Sequence, residues 1–95
     1  METEKIRSML GLARRAGKLY IGRDSVIAAV RKGSVGLVLL TADASPRHRQ
    51  ELCAIGYAGD TLELPFTMED LAYVVGKKSC IFALTDENFI SAIKK

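Results

Sequence analysis

The stretch YIGRDSVIAAVRKGSVGLVLL, Tyr20 to Leu40, decides how the chain is read. Its first residues read as the end of a short strand, Gly22 breaks that strand, and a helix of about two and a half turns runs on until Gly33 stops it. Val26, Ala29 and Val30, with Ile27 beside them, give this helix an apolar stripe. Val35 to Leu40, VGLVLL, is a nearly unbroken apolar run. It suits a strand covered on both faces and therefore central to a sheet, so helices must flank it.

Working back from Tyr20, Lys18 to Ile21 forms the first strand. Before it, Ile6, Met9, Leu10 and Ala13 recur at helical spacing, with Thr3 as a cap and Gly17 as the stop. Working forward, Ser45 followed by Pro46 is a helix start, and the third helix runs to about Ala54 or Gly56 with His48, Leu52 and Ile55 on one face. Thr61 to Leu64 alternates as a half-exposed outer strand would, and Pro65 closes it. Thr67 and Asp70 make a capping box for a fourth helix that Gly76 ends. Cys80 to Leu84 is a second apolar strand, and Thr85 caps a last helix carrying Phe89, Ile90 and Ile93. Five helices around four strands imply an α/β layered sandwich, one domain over residues 1–95. Tight loops leave no linker, so function has to sit on loops at an edge.

Charge is unevenly spread. The chain of 95 residues carries a formal +3, yet residues 1–32 hold eight Lys and Arg against three acidic residues, a local net of +5. Such an excess attracts polyanions, nucleic acid first and acidic membrane surface second. METEKIRSML contains no apolar run of signal-peptide length and no segment approaches a membrane span, which points to a cytoplasmic protein with no membrane partner. Cys53 and Cys80, lacking C-x-x-C or zinc spacing, are expected as buried structural thiols.

Enzyme-like signals are weak. GLARRAGK, Gly11 to Lys18, has one residue too many between its glycines for a phosphate-binding P-loop, and Leu19 stands where Ser or Thr would hold magnesium. His48 and Cys53 are five apart, on poorly matched helix faces. Asp43 ends the central strand with no second carboxylate evident, so an Asx-type anchor for the turn is the expectation. No catalytic residue, metal site or cofactor is expected.

The helix after Gly22 offers something else. Its unpaired first-turn N–H groups and the positive end of its dipole suit a phosphate, Gly22 allows close backbone approach, and Arg23 adds a cation. Arg47 and Arg49 would sit near the same edge if the strands before the second and third helices are parallel.

Here the residues resemble a family. GLARRAGKLYIGRDSVIAAVRKGSVGLVLLTADAS is similar to the YlxQ-like bacterial branch of the kink-turn RNA-binding proteins whose archaeal member is ribosomal protein L-seven-Ae. Leu71 to Gly76 resembles that family's L-G-x-A-x-G segment. The resemblance implies a three-layer α/β/α sandwich with a mixed four-stranded sheet, binding structured RNA, ribosomal RNA included, through one edge. It implies contacts from Gly22, Arg23, Asp24, Ser25, Ala28 and Arg31 on the reading helix, Ala42 and Asp43 in the neighbouring loop, and Lys77, Lys78 and Ser79 over an extruded nucleotide. Where the family carries Asn-Glu and, three positions on, Lys, this chain has Asp24, Ser25 and Ala28. A monomer is expected, with ribosome or translation-factor association. A protein-interaction module in translation or ribosome assembly is the alternative, and a small hydrolase using Asp43 is a third.

Overall fold

Two strands made almost wholly of apolar residues occupy the middle of the molecule and set the rest. In the computed structural model, which describes residues 3–94, they are β2 (Leu37–Leu40) and β4 (Ile81–Leu84), every residue of both buried. Leu37, Leu39, Phe82 and Leu84 face one side, while Val38, Leu40, Ile81 and Ala83 face the other. Residues two apart on a strand share a face, so this pair of strands needs a helical layer on each side.

The sheet order is β1-β4-β2-β3, with β1 at Leu19–Ile21 and β3 at Asp60–Glu63. β4 runs antiparallel to both neighbours, pairing Ile21 with Phe82 and Leu40 with Ile81, while β2 and β3 are parallel. The result is a mixed four-stranded sheet. One layer holds α1 (Thr3–Arg15), α4 (Met68–Val75) and α5 (Glu87–Lys94), which bury Ile6, Leu10, Leu71, Val75, Ile90 and Ile93 against the first face. The other holds α2 (Arg23–Arg31) and α3 (Arg47–Ala54), which insert Val26 and Leu52 against the second.

Local signals account for most boundaries. Thr67 and Asp70 complete the capping box of α4, and Gly76 closes that helix at φ 85°. The Ser45 hydroxyl accepts from the Arg47 N–H at 3.2 Å, with Pro46 already helical at φ −55°. Several boundaries differ from the sequence reading: β1 starts at Leu19 rather than Lys18, β3 spans Asp60–Glu63 rather than Thr61–Leu64, and β4 starts at Ile81 rather than Cys80. Thr3 is already helical, so it does not cap α1. Asp86, not Thr85, caps α5, its carboxylate accepting from the Asn88 N–H at 2.8 Å. A carboxylate at the opening turn also complements the helix dipole, which a threonine hydroxyl does less well. Val35 and Gly36 stay outside β2. Cys53 is exposed and Cys80 only partly covered, because the apolar face of α3 narrows to Leu52 and leaves its neighbour outside.

Strand direction positions the site. β1, β2 and β3 all end, and β4 begins, at the same edge of the sheet. Backbone bonds stitch the loops there together: Gly22 N–H to Ile81 O at 3.1 Å, Thr41 N–H to Cys80 O at 3.0 Å, and Ala42 N–H to Phe66 O at 2.7 Å.

Candidate nucleic-acid interface

At this edge the chain leaves β1 through Gly22, whose φ of 97° and ψ of 156° lie in a region open essentially to glycine alone. The conformation turns the chain sharply enough for α2 to start at the next residue. Gly22 contributes no side-chain cap, and its carbonyl accepts the Val26 N–H at 3.0 Å. The first-turn amides of α2 before Val26 have no partner within the helix, and a Cβ built on Gly22 would meet nothing within 4 Å.

Arg23 is not a free cation. Its Nε and a terminal nitrogen both lie 2.5 Å from Glu51 Oε2 on α3, and a terminal nitrogen lies 3.0 Å from Asp24 Oδ1. The hydrogen bond with Glu51, and then its charge, raise the guanidinium pKa above its ordinary value. The same hydrogen bond holds Glu51 below the usual carboxylate range. Two carboxylates therefore occupy this guanidinium, while Arg47 stands near enough to Glu51 to lower it further. Glu51 was not legible in the sequence, because it lies 28 residues from Arg23 and no local pattern links them.

The neighbouring loop is fixed by Asp43, whose Oδ1 accepts the Met68 N–H at 3.0 Å. This side chain also ties the loop after β2 to the first turn of α4. Its pKa is lowered by the nearby Thr41 hydroxyl and then by the Met68 N–H. The Thr41 hydroxyl is buried and completes no hydrogen bond of good geometry, so the bond from Met68 is the firmer support. Ala42, exposed beside Asp43, uses its N–H on Phe66.

The third segment follows Gly76. Lys77 and Lys78 are exposed, and neither has an ion-pair partner among the described residues. Ser79 is buried: its hydroxyl donates to Ile81 O at 2.9 Å and accepts from Ile81 N–H at 3.2 Å. Its side chain shapes the loop from within rather than pointing outward. Sequence reading also missed Arg14, whose guanidinium packs so closely on Gly76 that a Cβ there would stand 2.5 Å from it.

The expected residues are therefore partly gathered. Gly22, Arg23, Asp24, Ala42 and Asp43 stand at the loops of one rim, and Lys77 and Lys78 lead into the same rim through Cys80. Ser25 is exposed in the opening turn of α2. Ala28 lies further along the helix, and Arg31 lies roughly 12 Å beyond Arg23 at 1.5 Å per residue, away from the rim. Both line a groove of about 690 Å³ between α2 and α3. Among the described residues there is no cluster of His, Cys, Asp and Glu able to hold a metal, and no helix long and apolar enough to cross a membrane.

A mixed sheet between helical layers, with a glycine-led helix N-terminus and a lysine loop at one rim, defines an α/β sandwich domain with its candidate functional edge at that rim. Residues 4–93 match the family described as Ribosomal protein L7Ae/L30e/S12e/Gadd45, and the chain belongs to that family. It is 29% identical over 94 residues to the RNA-binding protein YlxQ of Enterococcus faecium, covering 97% of this chain and 90% of the relative. It is 30% identical over 90 residues to YlxQ of Bacillus subtilis (strain 168), covering 90% and 87%. It is a YlxQ-like member of the family. Among solved structures, a protein of unknown function from Bacillus halodurans superposes with a TM-score of 0.80 at 29% identity, over 99% of this chain and 100% of that one. The Giardia lamblia 15.5kD RNA binding protein gives a TM-score of 0.73 at 11% identity over 96% and 80%, a likeness of fold.

Proposed function

We propose that this protein binds structured RNA of the kink-turn type at the rim formed by Gly22, the Asp43 loop and the lysine loop after Gly76. Two relatives that match nearly the whole chain carry the name RNA-binding protein, which supports RNA as the ligand class. The single observation that carries the reading is the meeting of the three loops, joined by bonds from Gly22 to Ile81 and from Thr41 to Cys80. In this reading the α2 amides and Lys77 and Lys78 hold phosphates, while Asp24 and Ser25 face base edges. Arg23 is available to a phosphate only when it exchanges Glu51 for it. The protein acts in the cytoplasm as an RNA partner rather than an enzyme, alone or on the ribosome.

A gel shift comparing a kink-turn RNA with the same RNA lacking its sheared G·A pairs tests the specificity, and a marked preference for the intact RNA is expected. Equal binding would reduce the function to general RNA binding. Affinity should also fall steeply with salt, and replacing Lys77 and Lys78 by Ala should make the log–log slope shallower by up to about two units. An unchanged slope would remove both lysines from the interface.

A further inference from the structure

A second cationic surface lies outside the rim, on the opposite helical layer. A groove of about 500 Å³ between α1 and α4 is lined by Arg7, Arg14 and Arg15, with Ser8, Gly11, Leu12 and Val74 between them. No carboxylate belongs to the lining. Of the three arginines only Arg7 is ion-paired among the described residues, and that contact with Glu4 is long, 3.5 Å. Three guanidinium groups within one concave surface would repel each other, and the arrangement suits a polyanion that neutralises several at once.

Both ends of the groove reach loops of the rim. The Arg7 guanidinium lies 4.9 Å from the centre of the Phe66 ring, and Phe66 O accepts the Ala42 N–H. Arg14 packs on Gly76, the residue before Lys77. A chain leaving the rim at the lysine loop can thus pass over the C-terminal end of α4 into the groove, away from Glu69 and Asp70 in the first turn of that helix. On α4, Tyr73 precedes the lining residue Val74 by one position without belonging to the lining itself, and it is 97% exposed. A basic track with an exposed aromatic ring one position from its wall is a combination that can hold single-stranded nucleic acid, phosphates on the cations and a base on the ring.

We propose that the α1–α4 groove binds the phosphates of a single-stranded RNA segment continuous with the element seated on the rim. The inference builds on the RNA reading of that rim, extends its footprint, and gives Arg15 and Tyr73 a role that packing does not.

The test compares a structured RNA with the same RNA carrying a single-stranded tail at either end. Wild-type protein should bind one of the tailed forms more tightly, with a log–log salt slope steeper by about one to two units. Arg15→Ala should remove about one unit of that increment, and Ser8→Glu, which puts a carboxylate among the arginines at an exposed helix position, should abolish the tail advantage. Both should leave the untailed affinity and the thermal melt unchanged. Equal wild-type binding of tailed and untailed RNA, or a tail advantage that survives Ser8→Glu, overturns the proposal while leaving the rim reading intact. Failure to bind the untailed element, with tailed RNA still held through Arg15, would sink the rim reading and uphold the groove.

Discussion

Arg23 and Glu51 clasp each other across α2 and α3, the Nε and one terminal nitrogen of the arginine both 2.5 Å from a single carboxylate oxygen. The clasp lies at the mouth of the helix N-terminus that RNA would enter, so the protein's own carboxylate competes with a phosphate for this cation. Glu51→Gln keeps the shape and removes the competitor. Tighter RNA binding and a salt slope steeper by about one unit are expected, read from binding isotherms at several ionic strengths. Arg23→Glu should instead weaken binding strongly; its thermal melt, lowered modestly by the lost Glu51 bond, should stay cooperative, showing that the fold survives.

The opening of α2 lacks three side chains that the family resemblance places there. Asp24, Ser25 and Ala28 are all exposed, so changing them disturbs no packing. Combining Asp24→Asn, Ser25→Glu and Ala28→Lys should raise the preference for intact kink-turn RNA over RNA without its G·A pairs. Competition gel shifts measure the ratio, and a ratio equal to wild type would place base reading elsewhere on the rim.

Two glycines hold the rim's backbone. Gly22→Ala meets no steric neighbour, so its cost is the dihedral strain alone, of order 1–3 kcal/mol. Gly76→Ala adds to a left-handed φ of 85° a Cβ 2.5 Å from the Arg14 guanidinium. Arg14 must move, so Gly76→Ala should lose the left-handed penalty of roughly 1–2 kcal/mol and also shift the lysine loop. Urea melts give the stability. Salt-slope measurements on the two variants should separate the helix mouth from the loop.

Acid should loosen the same rim. Asp43 is lowered by the Thr41 hydroxyl and the Met68 N–H, Glu51 by its bond to Arg23, and Asp70 by the N–H and then the hydroxyl of Thr67. A depressed folded pKa means stability that is complete above the ordinary carboxylate range, about pH 4 to 4.5, and is lost as pH falls through the lowered values. Chemical denaturation at pH 7 and pH 3 should show a smaller loss for the Asp43→Asn, Glu51→Gln double variant than for wild type. Equal losses would assign the acid sensitivity to other groups.

Which features could be read in advance follows from how far apart the cooperating residues are. The buried strands, the α4 capping box and the glycine-led start of α2 are local patterns of spacing and residue type, and all were legible. The parallel sense of β1 and β2 was only conditional in the sequence, because it depends on β4, about sixty residues beyond β1, running between them. The bonds that shape the site were hidden for the same reason. Glu51 meets Arg23 across 28 residues, Asp43 meets Met68 across 25, and Arg14 rests on Gly76 from a different helix. The burial of Ser79 was hidden as well, because a polar residue between two lysines and a strand looks exposed, whereas both of its hydrogen bonds return to Ile81.

The outermost strands have a consequence of their own. β1 has three residues, and β3 begins at Asp60, ends at Glu63 and is followed by Leu64 and Pro65. A short border on one side, and a charged border followed closely by a proline on the other, make poor templates for edge-to-edge association. Copies of this protein at high local concentration can therefore lie side by side without their sheets fusing into fibrils.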